Sequence, residues 1–260
     1  MIRLILITFL FSSSVYADFK FNDLTGAELG KISKDFSANF MFTSVSPAHG
    51  NGNLLGLEVG IVGNVTESEE TEKVIKRVDP SQSLDYIGSA YGLVTFSIPF
   101  GFTFELGIVP ETEIGDGKVE YLAGALKWYT KLVPLVDIGV RGHFSNGDFG
   151  FSQTISGVNT TVGIENSVKG LDVIVSSDLL ILEPYLGLGY VTGETTVNAT
   201  GSVIFNSTEY SSSPSSVTVD DSSMRVFAGL QIDLFLMRIA AEYARMFDTT
   251  RISGKLSFYF

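Results

Sequence analysis

From Asn53 to Phe260, segments of 10 to 15 residues set lipophilic side chains at every second position, with small or polar residues between them. Leu55, Leu57, Val59 and Ile61 share one parity, and Gly56, Glu58 and Gly60 the other. Phe102, Phe104, Leu106 and Ile108 alternate with Thr103, Glu105 and Gly107, and Val136, Ile138 and Val140 with Asp137, Gly139 and Arg141. The pattern returns in Leu186, Leu188 and Tyr190, in Met224 to Ile232, and in Ile252 to Phe260. A period of two belongs to an extended strand whose faces meet different surroundings. No stretch of 18 apolar residues follows the first seventeen, so helical membrane spans are excluded there.

Composition decides what those surroundings are. A soluble β-sandwich turns its polar face to water. Here only 18% of residues are charged against 45% hydrophobic, mean hydropathy is +0.27, and the polar parity is rich in the chain's 27 glycines. Lipid outside and a polar interior fit better: an all-β fold, a transmembrane antiparallel β-barrel with strands of about 9 to 11 tilted residues across the bilayer. The absence of cysteine excludes a disulfide scaffold, thiolate metal sites and a cysteine nucleophile. A net charge of -12 argues against nucleic acid as a partner.

Residues 1–17 have the form of a cleaved export signal: Arg3, the apolar run Leu4 to Phe11, and Val15-Tyr16-Ala17 as a small-residue cleavage site. The segment Arg251 to Phe260, RISGKLSFYF, resembles the terminal strand of Gram-negative outer-membrane β-barrel proteins, with alternating apolar residues and a final phenylalanine. That resemblance implies an outer-membrane location, Phe258 and Phe260 as the signal for the barrel-assembly machinery, and a periplasmic carboxyl terminus. It names no narrower family and no activity. The partners expected are outer-membrane lipids and the assembly machinery, for a monomer whose surface partner is open.

Ten strands are predicted, at 53–66, 86–98, 102–113, 117–130, 134–146, 166–178, 182–196, 222–234, 237–247 and 250–260, with twelve as the alternative count. The connections then sort into short ones on the periplasmic side and three long ones outside, 67–85, 147–165 and 197–221. Loop 67–85 carries Glu67, Glu69, Glu70 and Glu72 ahead of Lys73, Lys76 and Arg77, a spacing suited to helical charge pairs. For 86–98 the parity of Val94, Phe96 and Ile98 is assigned to lipid, because Gly101 suits a left-handed position in a three-residue turn. Phe102, Phe104, Trp128, Phe258 and Phe260 fall near one rim, and Phe144, Tyr190 and Tyr243 near the other, as interface girdles do.

The inward parity then carries a charge network: Glu58, Glu105, Lys127, Asp137, Arg141, His143, Asp172, Arg225, Asp233, Arg238, Glu242 and Lys255. Turn lengths pair Asp233 with Arg238 across Phe235-Leu236, Lys127 with Asp137 across Lys131 to Val133, and Glu242 with Lys255 across Asp248-Thr249. A basic side chain facing lipid at midplane costs about 2 to 4 kcal/mol, far more than a cross-strand pair contributes. Asp178 and Glu183 both point inward at the periplasmic mouth.

Residues 18–52 do not alternate. Thr25 and Glu28 have the spacing of a capping box, and Leu29, Ile32, Phe36 and Phe40 recur at helical intervals. Three placements are open for this segment: a helix plugging the lumen, a helix at the periplasmic rim, or an extra strand near Phe40 to Val45. Residues 53–260 form the barrel. His49 and His143 are the only histidines, in no metal-ligand spacing, and Gly187-Leu188-Gly189 lacks the rest of a dinucleotide loop. No cofactor, metal site or catalytic constellation is expected. The function expected is a narrow diffusion channel for small solutes or hydrophobic compounds; the alternative is a non-conducting structural or surface-interaction barrel acting through its extracellular loops.

Overall fold

The computed structural model describes residues 26–51, 55–78, 80, 83–114, 117–155, 158–200 and 215–260. The export signal and Thr25 of the capping box lie outside the described residues. Ten strands form an antiparallel sheet among the described residues: β1 (Gly56–Glu67), β2 (Tyr86–Ile98), β3 (Phe102–Ile114), β4 (Gly117–Val133), β5 (Val136–Ile155), β6 (Val158–Ser177), β7 (Leu182–Thr200), β8 (Ser215–Leu234), β9 (Met237–Met246) and β10 (Thr249–Tyr259). Each strand pairs with its neighbour in sequence, and β1 pairs with β10 to close the barrel. Helix α1 (Gly26–Phe40) precedes the barrel, and α2 (Glu69–Val78) lies between β1 and β2.

Side-chain parity follows the alternation of the sequence. Leu57, Val59, Ile61, Leu106, Leu122, Leu126, Val140, Leu171, Val173, Leu186, Leu188, Val226, Ile239, Ile252 and Leu256 are exposed on the outer wall. Phe96 is outside while Tyr91 and Leu93 are buried within, the parity expected for β2. Gly101 has φ +83° in the β2–β3 turn, a left-handed conformation that glycine adopts without strain. Inward glycines make room for rings: Gly187 lies opposite Phe227 and Gly229 opposite Tyr185, and a Cβ at either glycine would run into the facing ring.

Strand lengths differ from expectation on one side of the wall. Residues 147–155 with 158–165, and 197–200 with 215–221, continue the ladders of β5–β6 and β7–β8 instead of forming loops. Outside a bilayer neither face needs to be lipophilic, so the outward parity turns polar at Asn146, Asp148 and Glu165 while pairing continues. The signal left in the sequence is β-branched content, as in Thr195-Thr196-Val197 and Val217-Thr218-Val219. At roughly 3.3 Å per residue, a 20-residue strand such as β5 far exceeds an apolar band about 25 Å tall. The barrel therefore has a tall end and a short-turn end.

Leu186 lies mid-belt on the outer wall. Leu186→Lys is expected to cost about 2 to 4 kcal/mol of stability in lipid, whereas Ser222→Lys, above the belt, stays within about 0.5 kcal/mol. Urea unfolding in lipid vesicles, followed by heat-modifiable gel migration, checks the difference.

Candidate functional site: the threaded lumen

Residues 26–51 run through the barrel. The amino-terminal half of α1 sits at the tall end, where Lys31 pairs with Glu70 of α2 at 2.9 Å and Lys34 with Asp248 of the β9–β10 turn at 2.9 Å. Hydrogen bonding from Lys73 and Lys31 holds the Glu70 carboxyl below its usual range, and Lys34 does the same for Asp248. Asp35 accepts from the Thr71 N–H at 2.9 Å and its hydroxyl at 2.8 Å, placing a carboxylate at the α2 amino terminus where the helix dipole favours it. The charge spacing read in 67–85 is thus realised as α2, with Lys73 on Glu70 and Lys76 on Glu72.

Below α1 the chain descends in order past the wall. Thr43 donates to Glu242 at 3.1 Å, Ser44 accepts from Arg141 at 3.2 Å, and Ser46 and the Pro47 carbonyl accept from Lys127 at 3.0 and 2.9 Å. The Ala48 N–H donates to Ser176, His49 lies 3.1 Å from Glu183, and Asn51 donates to Thr95 at 2.5 Å. Apolar side chains accompany this polar trace. Met41 and Ala48 join Ile174, Tyr185 and Phe227 in one buried cluster, and Phe42 and Val45 join Val62, Tyr91 and Leu93 in another. The interior is a packed core with two kinds of contact, not a wall of charge and glycine alone.

The twelve inward residues named from the sequence all point to this interior, eleven of them buried and Asp233 half-buried. They form two groups. In the central one, Asp172 lies 2.7 Å from both Arg141 and Arg225, with His143 at 3.5 Å; Arg225 reaches Glu242 at 2.6 Å, and Lys127 lies 3.3 Å from Glu105. Near the short-turn end, Glu58 binds Lys255 at 2.8 Å and Arg238 at 3.1 Å, and Arg238 binds Asp233 at 3.1 Å. Asp137 is buried without an ion pair among the described contacts.

One of the three expected cross-strand pairs is present, Asp233 with Arg238. Lys127 instead faces Arg141, because the chain turns at Pro134-Leu135 after an irregularity between Lys131 and Val133. Glu242 faces Ser253, because Phe247 and Asp248 form the turn, with φ of 51° and 65°. Both registers differ by an even number of residues, so parity is preserved while partners change.

Arg251 was absent from the expected set although it shares the inward parity of Ser253 and Lys255. It is fully buried, 3.9 Å from Glu242, and donates to the carbonyls of Ala38 and Met41 at 2.9 and 2.6 Å. These are carbonyls at the carboxyl end of α1, where unpaired oxygens and the dipole attract a cation. The central group holds four cations, Lys127, Arg141, Arg225 and Arg251, against the carboxylates of Glu105, Asp172 and Glu242. The threaded segment supplies acceptors for the surplus.

Phe258 and Phe260 are exposed at the short-turn end, and the Phe260 backbone exchanges two hydrogen bonds with Leu57, at 2.8 and 3.1 Å. Phe144, Tyr190 and Tyr243 project outward near the tall end, and Phe102, Phe104 and Trp128 nearer the short turns. Among the described residues, no three His, Asp or Glu side chains are placed to hold a metal ion.

A closed barrel with an apolar outer wall and a polar, threaded interior defines a transmembrane β-barrel of the outer-membrane type. The chain belongs to the family of unknown function DUF6588, whose profile matches residues 7–258. No curated protein matches it in sequence. Solved structures similar to it include the translocator domain of autotransporter NalP from Neisseria meningitidis, at 9% identity and TM-score 0.44, covering 81% of this chain and 89% of that one. The TodX monoaromatic hydrocarbon channel deltaS2 mutant matches at 9% identity and TM-score 0.37, over 87% and 77%. The attachment invasion locus protein Ail of Yersinia pestis matches at 13% and 0.33, over 79% and 97%. Identities and scores are low, and no functional property passes from these barrels to this chain.

Removing one partner of a buried pair costs about 3 to 5 kcal/mol, because the other charge stays behind unpaired. Asp172→Ala, which takes Arg141's close carboxylate and leaves Arg225 with Glu242 alone, is expected to lower stability by about that amount, and outward-facing Glu120→Ala by about 0.5 kcal/mol or less. Denaturant titration of the refolded barrel measures both. Arg251→Met is expected to raise amide exchange across 26–51 while leaving the strand ladders protected, as read by hydrogen exchange with mass spectrometry.

Proposed function

We propose that this protein is a non-catalytic, integral outer-membrane barrel of a Gram-negative cell that is closed to passive diffusion and acts through its outer face. The short turns and carboxyl terminus then face the periplasm, and α2 with the tall β5–β8 wall faces the outside. Phe258 and Phe260 serve the assembly machinery. The observation that carries closure is the threaded segment: the wall's buried cations hydrogen-bond to residues 38–47, so the lumen cross-section is occupied by side chains already engaged with one another. In this reading His143 is structural, its ring enclosed beside a carboxylate already held by two arginines.

A second reading, the narrow channel for small solutes or hydrophobic compounds, draws on the hydroxyls of Thr43, Ser44 and Ser46, whose contacts can be exchanged for water if the segment withdraws. Planar-bilayer recording separates the two. The closed reading expects no steady conductance from the full chain and a conducting pore after deletion of residues 26–51. Steady conductance from the unaltered chain overturns closure; Lys127→Ala or Arg238→Ala should then change its open probability.

A further inference from the structure

The short turns are made of the wrong residues for a water-facing rim. Phe100, Leu180 and Phe235 are 89%, 92% and 88% exposed at three turn tips, and Leu132, Leu135, Leu179, Ile181 and Leu236 are exposed beside them. In each of the four turns one bulky apolar residue holds positive φ: Phe100 at 74°, Leu135 at 68°, Leu180 at 66° and Phe235 at 56°. Glycine, asparagine and aspartate fill such positions readily, whereas apolar side chains with a Cβ rarely do. Four times over, a side chain that costs conformational energy is kept exposed in a turn.

The turns are also joined to one another. The Asp178 N–H donates to the Leu135 carbonyl at 3.1 Å, Asp233 to Ile181 at 3.0 Å, and Tyr259 to Leu236 at 3.0 Å. Leu179 and Leu182 exchange bonds at 3.0 and 3.3 Å within their own turn. Ser177 donates its hydroxyl to the Leu135 carbonyl at 3.0 Å. Satisfying backbone groups internally is the condition for entering hydrocarbon.

The height of the belt points the same way. On β4 the outward side chains turn from Lys118 and Glu120 to Leu122, which fixes the upper edge. From Leu122 to Trp128 is six residues, or about 15 Å of height at roughly 3.3 Å per residue and a tilt of about 40°. From Leu122 to Leu132 is ten, or about 25 Å, the height of an outer-membrane apolar band. On β7 the eight residues from Tyr190 to Leu182 give about 20 Å, and the turn residues Leu180 and Ile181 lie beyond them. The belt reaches full thickness only with the turns included.

We infer that the short turns are a lipid-binding surface: Phe100, Leu132, Leu135, Leu180 and Phe235 insert among the acyl chains of the adjoining leaflet, so the barrel ends inside the membrane and does not project into the aqueous phase. The inference rests on the membrane placement proposed above. It commits to lipid because the apolar tips adjoin the lipid-facing wall, with Lys131 beside Leu132 long enough to reach the headgroups, and because the carbonyls of Leu135, Ile181 and Leu236 are taken up by neighbouring backbone N–H groups.

Full-length protein carrying Trp128→Phe offers a background without tryptophan. Into it are placed Phe100→Trp, Phe235→Trp, mid-belt Leu186→Trp and Ser222→Trp, with heat-modifiable gel migration reporting folding of each variant. Proteins are reconstituted in phosphatidylcholine vesicles with and without acyl-chain bromination. The inference expects the two ring-for-ring tip exchanges to lose emission to brominated lipid as strongly as Leu186→Trp and to resist aqueous iodide, unlike Ser222→Trp. Iodide quenching at both tips with Leu186→Trp still quenched by bromolipid overturns the inference alone. Failure of bromolipid to quench Leu186→Trp overturns the membrane placement with it. Iodide access in pure vesicles that is lost in native membranes identifies a protein partner instead and also overturns the lipid assignment.

Discussion

Hydrocarbon offers no partner to a peptide group, and the rest of this structure depends on that constraint. A sheet in lipid must close on itself, and the pairing of β1 with β10 over nine residue positions removes the last unpaired edge. Closure creates an inside. Once one parity is committed to lipid, every polar side chain of the other parity is driven into a confined lumen, where it needs a partner or water.

The lumen meets that demand with protein. Asp172 stands between two arginines, Glu242 between Arg225 and the Thr43 hydroxyl, and the surplus cation Arg251 turns to the carbonyl end of α1. The threaded segment is therefore part of the electrostatic balance as well as a filler. Its apolar residues explain inward side chains that no polar lumen would require, such as Val62 and Leu93 beside Phe42 and Val45. The same balance binds the central carboxylates to arginines and encloses His143 beside one of them.

Much of this was legible in the residues. The lipid-facing parity and the inward set follow from a period of two, which is local and survives any error of register that is even. Partner choice was not legible at the same level. A turn at Phe247-Asp248 in place of Asp248-Thr249 moves Glu242 from Lys255 to Ser253 without changing which way either side chain points. The tall hairpins of β5–β8 were missed because a strand wet on both faces loses the lipophilic alternation that marks one in the membrane. The parity of its own strand already points Arg251 inward with Ser253 and Lys255; what that strand does not mark is its partners, the carbonyls of Ala38 and Met41.

By itself the sequence determined a transmembrane barrel and its two faces, since each follows from how neighbouring residues divide between lipid and interior; ten strands were expected with twelve open, and closure of β1 on β10 decided for ten. Only the tertiary structure decided that residues 26–51 pass through the lumen, which carboxylate answers which cation, and that four separate turns gather their apolar tips at one rim. Those are relations between residues tens to hundreds of positions apart, and spacing along a chain carries no information about them until the barrel closes.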